Sequence, residues 1–366
     1  MRRLTVPRAL LMAALSMTVA ASVAGCSASN ESSSGGDPTT GAPSGELNGS
    51  GSTAQEAAMT AWKAGFQTAN PDVTVNYDAI GSGDGRDAFL SGAVAFAGSD
   101  AALSTDELVK AKKQCGSDPV EIPVYVSPIA VIYHVSGVDK LDLAPATLAQ
   151  IFTGKITTWD DPAIKAENPG VSLPSTTITP VHRSDDSGTT ENFTDYLSQA
   201  ASTDWTYGPI QTWPIKSGEA GNGTAGVVAA VTNGDGTIGY ADASQAADLG
   251  QANVKVGSEY VGPSTEAASK ILDESQIESG RAPTDLAMTV NRTTAASGVY
   301  PIVLISYQMT CQQQSSTATA DLIKAFESYV ISADGQDAAA KQAGSAPITE
   351  ALRSKAQAAI DTITAK

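Results

Sequence analysis

Residues Ile178 to Leu197 confine the fold more than any other stretch of the chain. A short apolar strand, Ile178 to Val181, runs into Arg183; a polar loop follows; and Ser187-Gly188-Thr189-Thr190 opens a helix that continues through Phe193, Tyr196 and Leu197. Strand, loop and helix in that order form the repeating unit of an α/β fold. The first N–H groups of a helix have no intrahelical partner, and the helix dipole places partial positive charge there. A helix start rich in hydroxyls, containing Gly and standing beside an Arg is therefore a competent anion site. Taken alone, the same residues also fit an ordinary Ser/Thr cap next to a surface Arg.

Three more segments of this character weigh against the plain cap. Leu47-Asn48 leads through Gly49-Ser50-Gly51-Ser52-Thr53 into a helix whose Ala58, Trp62 and Phe66 recur on one face. Val73 to Ile80 alternates like a strand and ends in Gly81-Ser82-Gly83-Asp84-Gly85. Val94 to Gly98 reads as a short buried strand ending in Ser99-Asp100, after which Ser104 and Glu107 form a capping box for a helix through Gln114. Val120 to Val126 and Ile129 to Val135 read as consecutive strands. Further on, helices are expected at Thr224 to Thr232, Asp242 to Leu249, Thr265 to Glu274, Ala318 to Ile331 and Thr349 to Ile363, with strands at Thr237 to Tyr240 and Ile302 to Met309. The alternation predicts an α/β fold with its loops gathered at the carboxyl ends of the strands, where ligands bind.

The amino terminus is a targeting segment. Arg2, Arg3 and Arg8 precede an uncharged run from Ala9 to Ser22, and Val23-Ala24-Gly25-Cys26 closes it as the lipobox of a bacterial lipoprotein signal. Residues 1–25 are thus read as a signal peptide, Cys26 as the lipidated first residue, and 26–46 as a disordered Ser/Gly/Pro-rich tether. A body of roughly 320 residues remains, long for one core, so two lobes are expected. Loss of the leader removes three Arg and no acid, taking the net charge from −17 to −20. That charge excludes electrostatic binding to nucleic acid. Cys115 and Cys311 remain, and an even pair in an exported protein favours a disulfide, with two free thiols as the alternative. Two distant His and no clustered Cys argue against a zinc site, and no cofactor is implied.

Six segments, taken together, resemble the phosphate-binding protein of the bacterial Pst ABC transporter. They are Gly49-Ser50-Gly51-Ser52-Thr53, Tyr77 to Gly83, Phe96 to Ser104, Ile151 to Ile156 with Trp159-Asp160-Asp161-Pro162, His182 to Asp185 with Ser187-Gly188-Thr189, and Gly236 to Tyr240. Their order and spacing match from about residue 47 to the end. The resemblance implies a two-lobed periplasmic-binding-protein fold with two interlobe crossovers and a ligand cleft between the lobes. Residues 47–126 and 299–366 would form lobe one, and 127–298 lobe two. It further implies that Thr53, the N–H of Ala54, Ser82, Asp100, Arg183, Ser187, Gly188 and Thr189 bind phosphate, with Asp185 holding Arg183. The implied partners are inorganic phosphate and a Pst-type permease and ATPase. The protein itself would be a non-enzymatic monomer, lipid-anchored on the outer face of the cytoplasmic membrane. Ala54 stands where an aromatic is usual, and Asp84 and Asp186 where small uncharged residues are common.

Elementary chemistry also favours phosphate. Asp100 accepts only; near neutral pH phosphate still carries a proton to donate, its second pKa lying near roughly 6 to 7, and sulfate carries none. Three other readings compete: a binder of another oxyanion such as sulfate or arsenate, a hydrolase using Ser187, and a surface adhesin. The hydrolase needs a base, and His182 should point away from Arg183 because the two alternate along a strand.

Overall fold

The computed structural model describes residues 43–366; the leader, Cys26 and most of the tether lie outside them. Nine strands form one sheet: β1 (Gly45–Gly51), β2 (Val73–Ala79), β3 (Phe96–Ser99), β4 (Pro119–His134), β5 (Thr179–Arg183), β6 (Glu219–Gly221), β7 (Thr237–Asp242), β8 (Gly250–Gln251) and β9 (Val303–Cys311). Along the sheet the order is β2-β1-β3-β9-β4-β7-β5-β6, with β8 paired to β4. β1 lies parallel to β2 and β3, and β5 lies parallel to β6 and β7. β9 and β4 run antiparallel between these two parallel groups. First beads on the string of helices are α1 (Glu56–Ala69), α2 (Ser82–Leu90) and α3 (Thr105–Cys115), then α4 (Pro145–Phe152), α5 (Pro162–Glu167), α6 (Gly188–Ala200) and α7 (Gly223–Asn233). A short α8 (Thr265–Ser269) follows, and α9 (Thr317–Ile331), α10 (Ala333–Ala343) and α11 (Glu350–Asp361) close the chain.

The periodicities explain most of these elements. α1 buries Ala58, Met59, Trp62 and Phe66, the expected stripe with one addition. α3 starts with the full capping box between Ser104 and Glu107. The strand opening the body begins at Gly45, so the tether ends two residues earlier than its composition suggests. In the first parallel group, Trp62, Phe66, Phe96, Tyr125 and Phe326 pack as an aromatic core. In the second, Phe193 stacks on Tyr240 at 4.4 Å between ring centroids, with Phe152 against both. The Cys115–Cys311 disulfide is present and ties the end of α3 to the end of β9.

Several elements differ from the sequence reading, which also expected no helix at α4 or α5. The two strands expected around Ser127-Pro128 are one sixteen-residue strand, β4. Its partner changes there, from β9 up to Pro128 to β7 from Ile129 onward. The Pro, which cannot donate to a ladder, therefore sits where one ladder hands over to the next, and a single strand runs through both halves of the sheet. The helix expected at Asp242 to Leu249 is only a 3-10 turn, Ala243–Gln245, because the chain must turn back for Gly250–Gln251 to pair with β4. The helix expected at Thr265 to Glu274 is α for one turn and 3-10 afterwards. α10 was not among the expected helices, and Gly335 stands in its first turn. A Cβ at Gly335 would fall 2.0 Å from the Tyr329 carbonyl oxygen, and Trp62 Nε1 donates to the Gly335 carbonyl at 2.8 Å. The residue is small because α9 and α1 crowd it.

Candidate functional site

Parallel strands deliver their loops to one edge. The β1–α1, β2–α2 and β3–α3 loops bring Ser52 to Gln55, Ser82 and Asp100. The β5–α6 and β6–α7 loops bring Asp185 to Thr189, and Asn222 to Thr224, against them. The approach needs glycine at two places. Gly51 has φ +148°, and a Cβ on it would fall 1.9 Å from the Gly98 carbonyl oxygen, so only Gly lets β1 and β3 end side by side. A Cβ on Gly188 would fall 2.5 Å from Ser82 Oγ and 2.9 Å from Asp100 Cβ, so the first turn of α6 rests directly on the opposite wall.

Asp100 is the centre of the first wall and is 2 % exposed. Ser52 Oγ donates to its Oδ2 at 2.5 Å, Ser82 Oγ approaches the same oxygen at 3.4 Å, and Ser306 Oγ donates to Oδ1 at 2.9 Å. Asn192 of α6 donates to the Asp100 carbonyl at 2.6 Å from the second wall. Burial pushes the Asp100 pKa up, while the hydroxyls of Ser52, Ser306 and Ser82 and the charge of Arg183 oppose that rise.

The second wall is built around Arg183, buried at 3 % exposure. Its guanidinium forms a bidentate pair with Asp185, Nε to Oδ1 at 2.7 Å and the terminal nitrogen to Oδ2. Asp185 in turn accepts from the Gly223 N–H at 3.0 Å. Burial pushes Asp185 up, but the Arg183 hydrogen bonds and charge outweigh it and leave its pKa below the ordinary value. Ser187 caps α6, accepting from the Thr190 N–H at 3.1 Å. Thr189 Oγ1 is buried without a hydrogen-bond partner among the described residues. A buried hydroxyl in that state is costly unless something else meets it.

All the residues singled out from the sequence meet in this one place: Thr53, Ala54, Ser82, Asp100, Arg183, Ser187, Gly188 and Thr189 are buried, and Asp185 is partly buried with its side chain 6 % exposed. Two of them are engaged differently from the expectation. The Ala54 N–H donates to Ser52 Oγ at 3.0 Å, and Thr53 Oγ1 lies 2.9 Å from Thr224 Oγ1 and accepts from the Thr224 N–H at 3.1 Å. Thr224, Ser306, Gln55 and Asn192 were not among the candidates. Asn222-Gly223-Thr224 has the same strand–Gly–Thr–helix character as the other loops and could have been found. Ser306 leaves a weaker signal, one hydroxyl inside an apolar strand. Asp84 lies in the first turn of α2, after the second loop of the first wall, and Asp186 on the first loop of the second, where it meets the Gly83 position. Burial pushes the Asp84 pKa up, and the charges of Asp186, Asp185 and Asp87 push it further. His182 stacks on Trp213 with ring centroids 5.2 Å apart, and its Nδ1 lies 3.0 Å from the Arg183 carbonyl oxygen. Its ring thus packs on Trp213, and no hydrogen bond joins it to Ser187 among the described residues. Among the described residues, no group of three or more His, Cys, Asp or Glu is placed to hold a metal ion.

A mixed sheet with two parallel groups, joined by antiparallel strands and closing their loops on a buried polar centre, is the architecture of a two-walled solute-binding protein. The model of the PBP superfamily domain matches residues 36–334. The phosphate-binding protein PstS 3 of Mycobacterium leprae is 36 % identical over 339 residues, which cover 92 % of this chain and 89 % of the relative. PstS 2 of Mycobacterium tuberculosis is 35 % identical over 344 residues, covering 91 % and 92 %. The chain belongs to the PBP superfamily and, within it, to the PstS family of phosphate-binding proteins. A solved phosphate binding protein from Stenotrophomonas maltophilia shares the fold with a TM-score of 0.64 at 22 % identity, covering 86 % of this chain and 94 % of that one.

Proposed function

We propose that this protein binds inorganic phosphate outside the cytoplasmic membrane and delivers it to a Pst-type ABC permease and its ATPase. One observation carries the reading. A buried carboxylate, Asp100, faces a helix start with an orphaned hydroxyl, Thr189, beside a buried guanidinium, Arg183. An anion that still carries a proton satisfies all three groups: its oxygens accept from the helix start and the Arg, and its proton goes to the carboxylate. Sulfate would leave Asp100 facing an oxygen of like charge. The relatives named as phosphate-binding proteins agree with this chemistry.

In this reading Thr53, Ser82, Ser187, the Gly188 N–H and Thr189 donate to the anion, and Asp185 orients Arg183. The Ala54 N–H and Thr53 Oγ1 join once Ser52 and Thr224 release them. The protein is a carrier and not a hydrolase, since Ser187 caps a helix and His182 faces Trp213. The two lobes would be residues 47–126 with 299–366, and 127–298, hinged where β4 changes partner. Cys26 would carry the lipid anchor of a monomer. Replacing Cys26 by Ser should release the protein from the membrane or leave its leader uncleaved; unchanged retention with normal processing would overturn the anchor.

Calorimetry on the leaderless protein, stripped of ligand, tests the central reading with phosphate, sulfate and arsenate. Phosphate is expected to bind at least about 10⁴-fold more tightly than sulfate. Failure to bind phosphate, or equal binding of sulfate, overturns it.

A further inference from the structure

Strand β9 reaches Asp100 from behind. Ser306 lies within this apolar strand and is fully buried. Its Oγ is 2.9 Å from Asp100 Oδ1 and 2.9 Å from Gln55 Nε2. Gln55 Nε2 is also 3.2 Å from the Tyr307 carbonyl oxygen, which only accepts, so the amide nitrogen is the end that faces Ser306. An amide nitrogen only donates. Ser306 Oγ therefore accepts from Gln55, and its single proton goes to Asp100 Oδ1. The other carboxylate oxygen is served in the same manner. Ser52 Oγ accepts from the N–H groups of Ala54 at 3.0 Å and Gln55 at 3.3 Å, so its proton goes to Oδ2. The helix start of α1 thus directs both hydroxyls, one through its backbone and one through the Gln55 side chain.

We propose that Ser306, held by Gln55, is a positioning residue that keeps Asp100 ionised and so sets the selectivity for phosphate over sulfate. It does this from the side of Asp100 away from the anion. The proposal rests on the phosphate reading above and adds a residue to it. While it is ionised, the carboxylate offers the anion acceptors alone, which phosphate can meet with its proton and sulfate cannot. Once protonated it becomes a donor, and sulfate is then accepted. Burial favours the protonated form of Asp100, and the donors oppose it. Charged and titratable groups face Asp100 from four strands. Arg183 of β5 favours the carboxylate, and Asp242 at the end of β7 is pushed up by burial and then by the Asp100 charge. Tyr77 of β2 and Tyr125 of β4 stay neutral, since burial and then the Asp100 charge push their phenols up. Loss of the Ser306 hydroxyl removes a donor that serves the ionised form, so the Asp100 pKa rises further.

The test is sulfate and phosphate affinity of the leaderless protein as a function of pH, for wild type, Ser306→Ala and Ser306→Thr. Sulfate does not titrate in the neutral range, so its profile follows the protein. Sulfate should tighten as pH falls and Asp100 takes up a proton. In Ser306→Ala this tightening should begin about one pH unit higher, which makes sulfate binding about tenfold tighter at a fixed pH on the slope. Ser306→Thr keeps the hydroxyl and should restore the wild-type profile. Asp242 is pushed up by burial to about 6, so the same pair of profiles is taken in an Asp242→Asn background, where the shift should persist. Gln55→Met leaves Ser306 in place but unheld. It should move the profile the same way by less, and it serves if Ser306→Ala does not fold. An unshifted sulfate profile in the Ser306 and Gln55 variants overturns the proposal, as does an equal loss of both anions at every pH. Wild type that fails to bind phosphate would instead overturn the function itself.

Discussion

The wall formed by the β1, β2 and β3 loops presents hydroxyls and a buried carboxylate; the wall formed by the β5 and β6 loops presents a guanidinium and two helix starts. Both are made from parallel strands feeding helices, and both bury their polar groups. They differ in electrostatic sign. On the second wall the one carboxylate, Asp185, is taken up by Arg183 and the Gly223 N–H, so in the proposed function that wall would offer donors to any oxyanion. The first wall places an acceptor among its donors, so it asks whether the anion carries a proton. In the proposed function, affinity and selectivity would thereby fall to opposite sides of one cleft.

The largest effect should come from the acceptor. Asp100→Asn keeps the shape, removes the charge and adds a donor, and the ratio of phosphate to sulfate affinity should fall by about 10²-fold or more in competitive binding at fixed pH and salt. A variant that discriminates as well as wild type would remove the distinction between the walls. Next is the cation. Arg183→Ala should weaken phosphate by at least about 30-fold, with sulfate weakened in proportion and the ratio kept. A changed ratio would mean that the second wall also selects. Gly188→Ala tests the contact between the walls, because its Cβ meets Ser82 and Asp100. Phosphate affinity should fall about tenfold with the melting temperature nearly unchanged, since the clash arises only when the walls meet.

The smallest change in affinity is expected for Asp185→Asn, which frees Arg183 but also leaves the cleft more positive. Here the informative readout is stability against pH. Asp185 has a lowered pKa, held by Arg183 after burial is overcome. Its contribution is present above the ordinary carboxylate value near roughly 4 and is lost as pH falls through the lowered one. Thermal melts should show the variant less stable than wild type at neutral pH, with the gap closing in acid. A gap that widens in acid would mean that the pair is not what holds Asp185.

Much of both walls could be read in advance because strand, Gly-Ser or Gly-Thr turn, and helix are local signals. Ser52-Thr53, Ser82 and Ser187-Gly188-Thr189 each announce a helix start within a few residues. The capping box at Ser104 and the stripe of Ala58, Trp62 and Phe66 are local for the same reason. Ser306 and Gln55 were not legible, since Ser306 meets Asp100 across a sequence separation of 206 residues and Gln55 meets Ser306 across 251. Thr224 had a readable local signal, but nothing in the sequence said that it would face Thr53. The continuity of β4 was hidden by Pro128, whose missing N–H reads as a break until the partner strands are known.

The sequence by itself determined the α/β alternation, the helix starts that follow the β1, β2, β3 and β5 loops and the identities of the polar groups there, because caps, turns and periodicity act over a few residues. Only the tertiary structure decided which of those groups face one another and which hydroxyl gives its proton to which oxygen. Hydrogen-bond direction depends on what lies behind each donor: Ser306 donates to Asp100 because Gln55 occupies its oxygen. That arrangement exists only once β9 has been laid between β3 and β4.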